Sequence, residues 1–284
     1  MKLDKDKKIL IVGLGLIGGS YAEALTDAGY EVGAIDVSPR SIDYALEHGM
    51  IAHGRSAADA DYVGKFDVLI FALYPHTFAK WIEKYQSYIK AGAVITDVTG
   101  VKCSIVYKIQ DMLRDDVEYI GAHPMAGREV YGVENAKKEI FLGANYIVTP
   151  TSRNTEGAVE LAEELGHVIG FGSISRLSPE EHDEMIGFLS QLTHCIAVSL
   201  MTCKESENLV RYTGDSFRDL TRIAKINENM WTELFFSNRE TLLREMDLFA
   251  EKFSALRDSI AREDGDAVRE MMRLSTARRK FFDK

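Results

Sequence analysis

The chain has 284 residues, enough for two domains, and its 46% hydrophobic and 27% charged content is that of a folded globular protein. A formal net charge of −10 leaves no surplus of Lys and Arg to neutralise phosphates, which argues against nucleic acid as a partner. Three cysteines, Cys103, Cys195 and Cys203, fit neither a disulfide framework nor a zinc site; they read as core filler in a reducing, cytoplasmic compartment.

Lysine-rich residues 1–8 followed by the apolar run 9–19 imitate a secretory leader. Asp4 and Asp6 dilute the charge, however, and glycines interrupt the run. Nothing else approaches the ~18 apolar residues of a membrane span, so no membrane partner is expected. Runs rich in Val, Ile, Tyr and Phe at 8–12, 31–36, 67–73, 93–98, 118–122 and 145–149 read as strands. Amphipathic segments at 17–28, 41–47, 77–89 and 104–113 lie between them, and a helix at 156–165 and a strand near 168–172 close the region. Strands alternating with helices predict a doubly wound, mainly parallel sheet covered on both faces.

The pattern changes at Ser178-Pro179-Glu180-Glu181, a capping box with proline at the first helical position. Beyond it only helices are predicted, at 179–204, 216–225, 228–261 and 266–282, with Gly265 breaking the last two and Asp266 as the cap. The expected architecture is a dinucleotide-binding α/β domain over residues 1–176 and an all-helical substrate and dimerisation domain over 177–284. The site is expected in the crevice between them. The apolar stripes of the helical region exceed what four helices can hide alone, so a homodimer with both chains contributing helices is predicted.

Gly13-Leu14-Gly15-Leu16-Ile17-Gly18 follows the first strand and opens a helix. The first glycine allows the tight turn, the second lets the backbone approach a pyrophosphate, and the third lets helix and strand pack closely; the helix N-terminus supplies N–H groups. Gly13, Gly15, Leu16, Ile17 and Gly18 are therefore candidate cofactor contacts in a Rossmann-type domain. The second strand ends at Asp36, eighteen residues past Gly18, where a carboxylate would accept from both ribose hydroxyls and repel a 2′-phosphate. NAD is expected over NADP, with Arg40 able to cap or stack on the adenine.

Ligands of such sheets bind beyond the C-terminal strand ends. Those ends carry Tyr74-Pro75-His76, then Thr99-Gly100-Val101-Lys102, then His123-Pro124-Met125-Ala126-Gly127. His123 is expected directly after a strand, held by Pro124, with Gly127 admitting a ligand close to the backbone. On the helix from residue 179, Asp183, Gly187, Gln191 and His194 recur at three- and four-residue spacing and share one face. His48, His53, His76, His167 and His182 show no supporting pattern.

The segment Gly121-Ala122-His123-Pro124-Met125-Ala126-Gly127-Arg128-Glu129, with Gly132 and Val133, resembles the signature of prephenate dehydrogenases. So do the glycine fingerprint, Asp97 to Lys102, Ser178 to His194, and Phe217-Arg218-Asp219-Leu220-Thr221-Arg222-Ile223-Ala224 leading to Met230-Trp231. The resemblance spans essentially the whole chain. It implies NAD-dependent oxidative decarboxylation of prephenate to 4-hydroxyphenylpyruvate in tyrosine biosynthesis. No metal is needed, because an adjacent enone takes up the electrons of the leaving carboxylate.

The resemblance further implies that His123 accepts the proton of the ring hydroxyl as hydride departs, with an acid limb near the ordinary histidine pKa. Arg222 would bind a substrate carboxylate, oriented by Asp219; Arg218 is a weaker second choice. His194, Gln191, Trp231, Lys102 and Arg128 would line the substrate. Where the family commonly has a serine two residues before the lysine, this chain has Gly100, so Thr99 or a water would supply the hydroxyl beside His123; Thr99 is also a candidate cofactor contact. Arogenate dehydrogenase, which acts on the amino counterpart of prephenate, is the nearest rival, and a non-catalytic NAD-binding regulator the more distant one. No residues remain for a fused chorismate mutase or regulatory domain, so a monofunctional form is expected.

Overall fold

The computed structural model describes residues 3–205 and 207–283. Its strands are β1 (Lys8–Val12), β2 (Glu31–Ile35), β3 (His53–Arg55), β4 (Val68–Phe71), β5 (Val94–Asp97), β6 (Glu118–Met125), β7 (Asn145–Thr149) and β8 (Ser173–Arg176). They form one eight-stranded sheet in the order β3-β2-β1-β4-β5-β6-β7-β8. Every pairing is parallel except β6 with β7. The order reverses direction between β1 and β4, the switch point where such sheets open a ligand crevice.

The central strands β1 and β4 are apolar on both faces because helices cover both faces. Ile9 and Ile11 of β1 join Val32, Val68, Ile70 and Ile120 in one core. Leu10 and Val12, pointing the other way by the period of two, join Leu69, Phe71, Ile95 and Tyr119 in the other.

Several elements differ from expectation for local reasons. The short strand β3 was not foreseen; its three residues, His-Gly-Arg, carry no β pattern. The strand expected near 168–172 is instead the end of helix Glu156–Ile169, closed by Gly170 with φ +97, and the strand follows at β8. Val168 and Ile169 are β-branched, yet Ile169 continues the buried helical stripe of Leu161 and Leu165, and packing overrides propensity. His123 lies inside β6 rather than after it, opposite Ile147 of β7.

Ser178 Oγ accepts from Glu181 N at 3.1 Å and Glu181 Oε2 accepts from Ser178 N at 2.8 Å, the expected reciprocal cap. Helix Pro179–Ile186 then widens into a π-helical segment, Gly187–Leu192, before helix Thr193–Thr202. Contrary to the expectation that no second stretch could span a membrane, Pro179–Thr202 is long and apolar enough by length and composition. Its buried His182, Asp183 and Gln191 are spent on polar partners in the protein, a cost that a lipid-facing helix would not meet. Cys203 is exposed, with its thiol donating to Ser199 O, so it is not the core filler expected.

The helix expected over 216–225 ends at Thr221 and tightens to a 3-10 turn at Arg222–Ala224. The long helix expected over 228–261 is two, Glu228–Ser237 and Arg239–Ala261. Asn238 breaks it, its amide donating to Asp183 O at 2.8 Å and Gln191 Oε1 at 2.9 Å.

Residues through Asn238 form one compact unit and those from Arg239 a second. The 176/177 boundary expected from sequence marks the change from sheet to helices and lies inside the first unit. In the second, helix Gly265–Arg279 is capped by Asp264, accepting from Ala267 N at 3.0 Å, rather than by Asp266. The break before it is made by Glu263 at φ +57.

The capping box starts the helix that carries His182 and Asp183. Ser178→Ala should lower stability by about 1 kcal/mol, the usual loss of such a cap, read as a drop of about 2–4 °C in Tm. An unchanged melting curve would show the cap to be dispensable.

Candidate active site

The glycine loop forms because side chains have no room there. Gly13 has φ +101, and a Cβ on it would stand 2.6 Å from Ala72 O; a Cβ on Gly18 would stand 1.9 Å from Gly13 O. A Cβ on Gly15 would meet nothing within 4 Å, so the loop backbone is open there, at the start of helix Leu16–Asp27. Leu16 and Ile17 open that helix. Asp36 reaches back from the end of β2, accepting from Leu14 N at 2.6 Å and Ser38 N at 2.8 Å. The carboxylate is pinned at the rim of the loop with lone pairs to spare, and Arg40 is exposed nearby in sequence. An open helix N-terminus with a fixed acid at the ribose end fits a dinucleotide carrying a free 2′-hydroxyl.

Beyond β5 the chain buries a charge pair. Lys102 Nζ sits 2.7 Å from Asp97 Oδ2, 3.2 Å from Thr99 Oγ1 and 2.6 Å from Ala122 O, with both charged side chains fully buried. Burial pulls the Lys102 ammonium down from its ordinary range while Asp97 pulls it back. Asp97 also accepts from Tyr119 OH at 2.9 Å and from Ala122 N at 3.1 Å. The Thr99 hydroxyl donates to Asp97 and lies 2.9 Å from Val101 O. Lys102 and Thr99 thus knit β5 to β6 inside the core, both of them buried. Thr99 does not supply the hydroxyl expected beside His123. The space does lie at Gly100, where a Cβ would be 3.8 Å from His123 Cε1 and 3.6 Å from the Leu234 side chain.

His123 Nδ1 is 2.8 Å from His182 Nε2, and His182 Nδ1 is 2.7 Å from Asp183 Oδ1. Asp183 in turn accepts from Lys102 N and Cys103 N, each at 2.8 Å. Burial holds the His123 imidazole well below its usual pKa, and the neighbouring His182 and Lys102 add to this. Burial also lowers His182, with Asp183 opposing. His182 was assigned no role from sequence, because a lone histidine in a helix carries no periodic signal. Its adjacency to Asp183, one turn into a capped helix, was the available clue.

A second group surrounds Arg222. Its guanidinium pairs at 2.5 Å with Glu129 of the signature segment, not with Asp219, and 64% of the side chain is exposed. Arg218 pairs with Asp215 at 3.2 Å. The His194 and Trp231 rings stack, with centroids 3.7 Å apart. His194 Nδ1 donates to Ser190 O at 2.8 Å, leaving Nε2 as an acceptor. Burial lowers the His194 pKa, and Glu129 and Arg222 are close enough to act on it with opposite signs.

Gln191 is buried; its amide donates to Leu234 O at 3.0 Å and accepts from Asn238. It therefore fastens helices rather than facing an open cleft. Arg128 is exposed in the loop after β6, and Gly127 leaves that backbone open. His76 Nδ1 lies 2.7 Å from Glu233 Oε2, tying the start of helix Pro75–Tyr85 to helix Glu228–Ser237.

Comparison with known proteins gives one consistent answer. Residues 21–172 match the family model for the prephenate dehydrogenase nucleotide-binding domain, and residues 178–274 that for the prephenate dehydrogenase dimerization domain. The chain is 32% identical over 270 residues to a prephenate dehydrogenase of Bacillus subtilis, covering 91% of this chain and 71% of that protein. It is 29% identical to a cyclohexadienyl dehydrogenase of Zymomonas mobilis, covering 93% and 92%. A crystal structure of prephenate dehydrogenase from A. aeolicus in complex with hydroxyphenyl propionate and NAD+ superposes with a TM-score of 0.89 at 29% identity, over 99% of this chain and all of that one. The two family models together cover most of the chain, and the chain belongs to the prephenate dehydrogenase family.

Proposed function

We propose that the enzyme oxidises prephenate with NAD, that His123 takes the proton of the ring hydroxyl, and that Arg222 binds a carboxylate of the substrate. The class of reaction follows from the family: the protein is a dehydrogenase. The observation that carries the residue assignment is the geometry at His123. Its Nδ1 is engaged by His182 at 2.8 Å while its Cε1 edge lies against Gly100, and burial lowers its pKa, which favours the proton-accepting form.

The cofactor residues fit NAD. Gly13, Gly15 and Gly18 shape the loop; the amides at Leu16 and Ile17, at the start of the helix, would hold the phosphates, and Asp36 would repel a 2′-phosphate. NAD, when bound, accepts the hydride from the carbinol carbon of the substrate. As the hydroxyl becomes a carbonyl, its proton passes to His123, and loss of the ring carboxylate as carbon dioxide completes the aromatic ring of 4-hydroxyphenylpyruvate. Gly100 offers no hydroxyl, so the substrate oxygen has His123 as its proton acceptor.

Arg222 is already matched by Glu129 in a solvent-exposed pair, which contributes little to stability. A guanidinium has five N–H donors, and a substrate carboxylate can displace or join Glu129 at its fork. His194 and Trp231 form a flat, partly buried wall beside it. Arg128, exposed in the loop after β6, is the residue we assign to the side-chain end of the substrate. Its charge would favour the pyruvyl carboxylate, though it does not separate prephenate from arogenate, which keeps that carboxylate.

The second half of the chain is assigned to a homodimer. The family model matched there is a dimerization domain, and Leu243, Phe253, Ile260 and Met272 are each half or more exposed, apolar side chains that a second copy would cover. A cytoplasmic location is consistent with free thiols and a nucleotide substrate.

The enzyme with NAD should turn prephenate into NADH, carbon dioxide and 4-hydroxyphenylpyruvate in equal amounts, faster than it oxidises arogenate. His123→Asn should lower kcat about 10²–10⁴-fold, as expected for loss of a positioned base, with NAD binding retained. Because the His123 pKa is depressed, the wild-type kcat/KM should stay level as pH falls through about 6.5 and decline only below it, at lower pH than sequence alone suggested. A variant with near-full kcat, or a limb above pH 6.5, would place the base elsewhere.

Arg222→Gln should leave NAD affinity unchanged and weaken prephenate capture about tenfold, roughly 1.5 kcal/mol, the loss of one charge-assisted hydrogen bond at a part-exposed arginine. An unchanged KM would reduce Arg222 to a surface partner of Glu129.

A further inference from the structure

We propose that Asp183 acts through His182 to set the tautomer of His123, so that three residues form a relay whose open end is His123 Nε2. The inference rests on the reading of His123 as the base, but the arrangement itself is a matter of hydrogen-bond direction. Asp183 Oδ1 lies 2.7 Å from His182 Nδ1, and the Asp183 oxygens already accept two backbone N–H groups, from Lys102 and Cys103. A carboxylate in that position is an acceptor, so the proton of a neutral His182 resides on Nδ1. Its Nε2 is then bare. At 2.8 Å from that bare nitrogen, His123 Nδ1 must carry hydrogen; two lone pairs at this distance would repel. A neutral His123 with hydrogen on Nδ1 has a bare Nε2. The proton inventory runs from a fixed carboxylate to the one imidazole nitrogen left to accept.

The alternative protonation patterns are disfavoured by the same surroundings. The charged groups around His182 are Asp183 on its own helix, Lys102 and Asp97 on the β5 side, and His123 on β6. Burial and Lys102 oppose a second proton on His182 in the resting enzyme, while Asp183 and Asp97 favour one once a proton arrives from His123. Reversing its tautomer would set a bare Nδ1 against the Asp183 carboxylate. Asp183 cannot turn away, because it holds the turn after β5 by two backbone bonds and accepts Asn238 on its own carbonyl.

The relay has a use once the reaction begins. The proton leaving the substrate hydroxyl bonds to His123 Nε2, and His123 becomes a cation with hydrogen on both nitrogens. Its Nδ1 proton can then shift across 2.8 Å to His182 Nε2. This returns His123 to neutrality and places the positive charge on His182, in contact with Asp183. No proton is gained or lost beyond the one the substrate gives. In this account His182 and Asp183 are positioning residues, since neither touches the reacting atoms.

The test reads the protons directly. In 15N-histidine-labelled wild-type enzyme at neutral pH, long-range 1H–15N spectra should show His123 protonated at Nδ1 and bare at Nε2, with His182 in the same tautomer. His182→Phe removes the acceptor, so His123 should shift towards the Nε2-protonated form, and kcat should fall at least about tenfold, as for loss of groups that orient a histidine, with the KM for prephenate and NAD affinity within about threefold of wild type. His182→Gln, whose amide oxygen can stand near the place of Nε2 and accept from His123, should restore the Nδ1-protonated form and most of the lost kcat. A wild-type spectrum with hydrogen on His123 Nε2 overturns the proposal without need of any variant. So does a Phe variant whose His123 tautomer is unchanged. Failure of the wild-type enzyme to act on prephenate would overturn the functional reading instead, and the spectra would still decide the relay.

Discussion

The Asp183 carboxylate is the constraint on which the site depends. It accepts the amides of Lys102 and Cys103 and contacts the ring of His182, so one side chain joins the turn after β5, the capped helix and, through His182, strand β6. A buried carboxylate is costly unless its lone pairs are filled, and once filled it is difficult to move. The buried Asp97–Lys102 pair repeats this on the other side of His123, fastening the β5 end to Ala122 of β6. Such pairs are weak evidence for stability, and removing one partner costs far more than the pair contributes. What they supply here is position. His123 sits on a strand whose neighbours cannot slide.

Much of the sheet region was legible because its signals are local. The run Ile9-Leu10-Ile11-Val12, the glycine loop and Asp36 each announce their roles through composition and spacing, and the structure has them in a strand, a tight turn and a carboxylate on that turn. The cap at Ser178 was readable for the same reason. The misplaced elements are those decided by tertiary contact. Asn238 ends a helix because its amide is wanted by Asp183 and Gln191, residues roughly fifty positions away. The π-helical turn at Gly187–Leu192 leaves no periodic trace, though such turns gather at functional sites.

The candidate site was legible in part. Spacing and strand ends singled out His123, and resemblance supplied Arg222, His194 and Trp231; the latter two meet as a stack. The partners of these residues were not readable. Glu129 rather than Asp219 pairs with Arg222, across 93 positions of chain. Lys102, Thr99 and Gln191, expected to face ligands, are instead buried and bonded within the protein. Each is polar and lies where a ligand contact was expected. Sequence can place a residue near a strand end, but cannot say whether its polar atoms turn outward or inward. His182 is the opposite case, a residue without pattern that lies in contact with His123.

These observations converge on one atom, the bare Nε2 of His123. The most direct measurement is a crystal structure of the enzyme with NAD and 4-hydroxyphenylpyruvate. The phenolic oxygen of the product should lie within about 2.6–3.2 Å of His123 Nε2, the reach of proton transfer, with its carboxylate end toward Arg222. A phenolic oxygen bound to another group, with His123 Nε2 facing only protein or solvent, would contradict this placement.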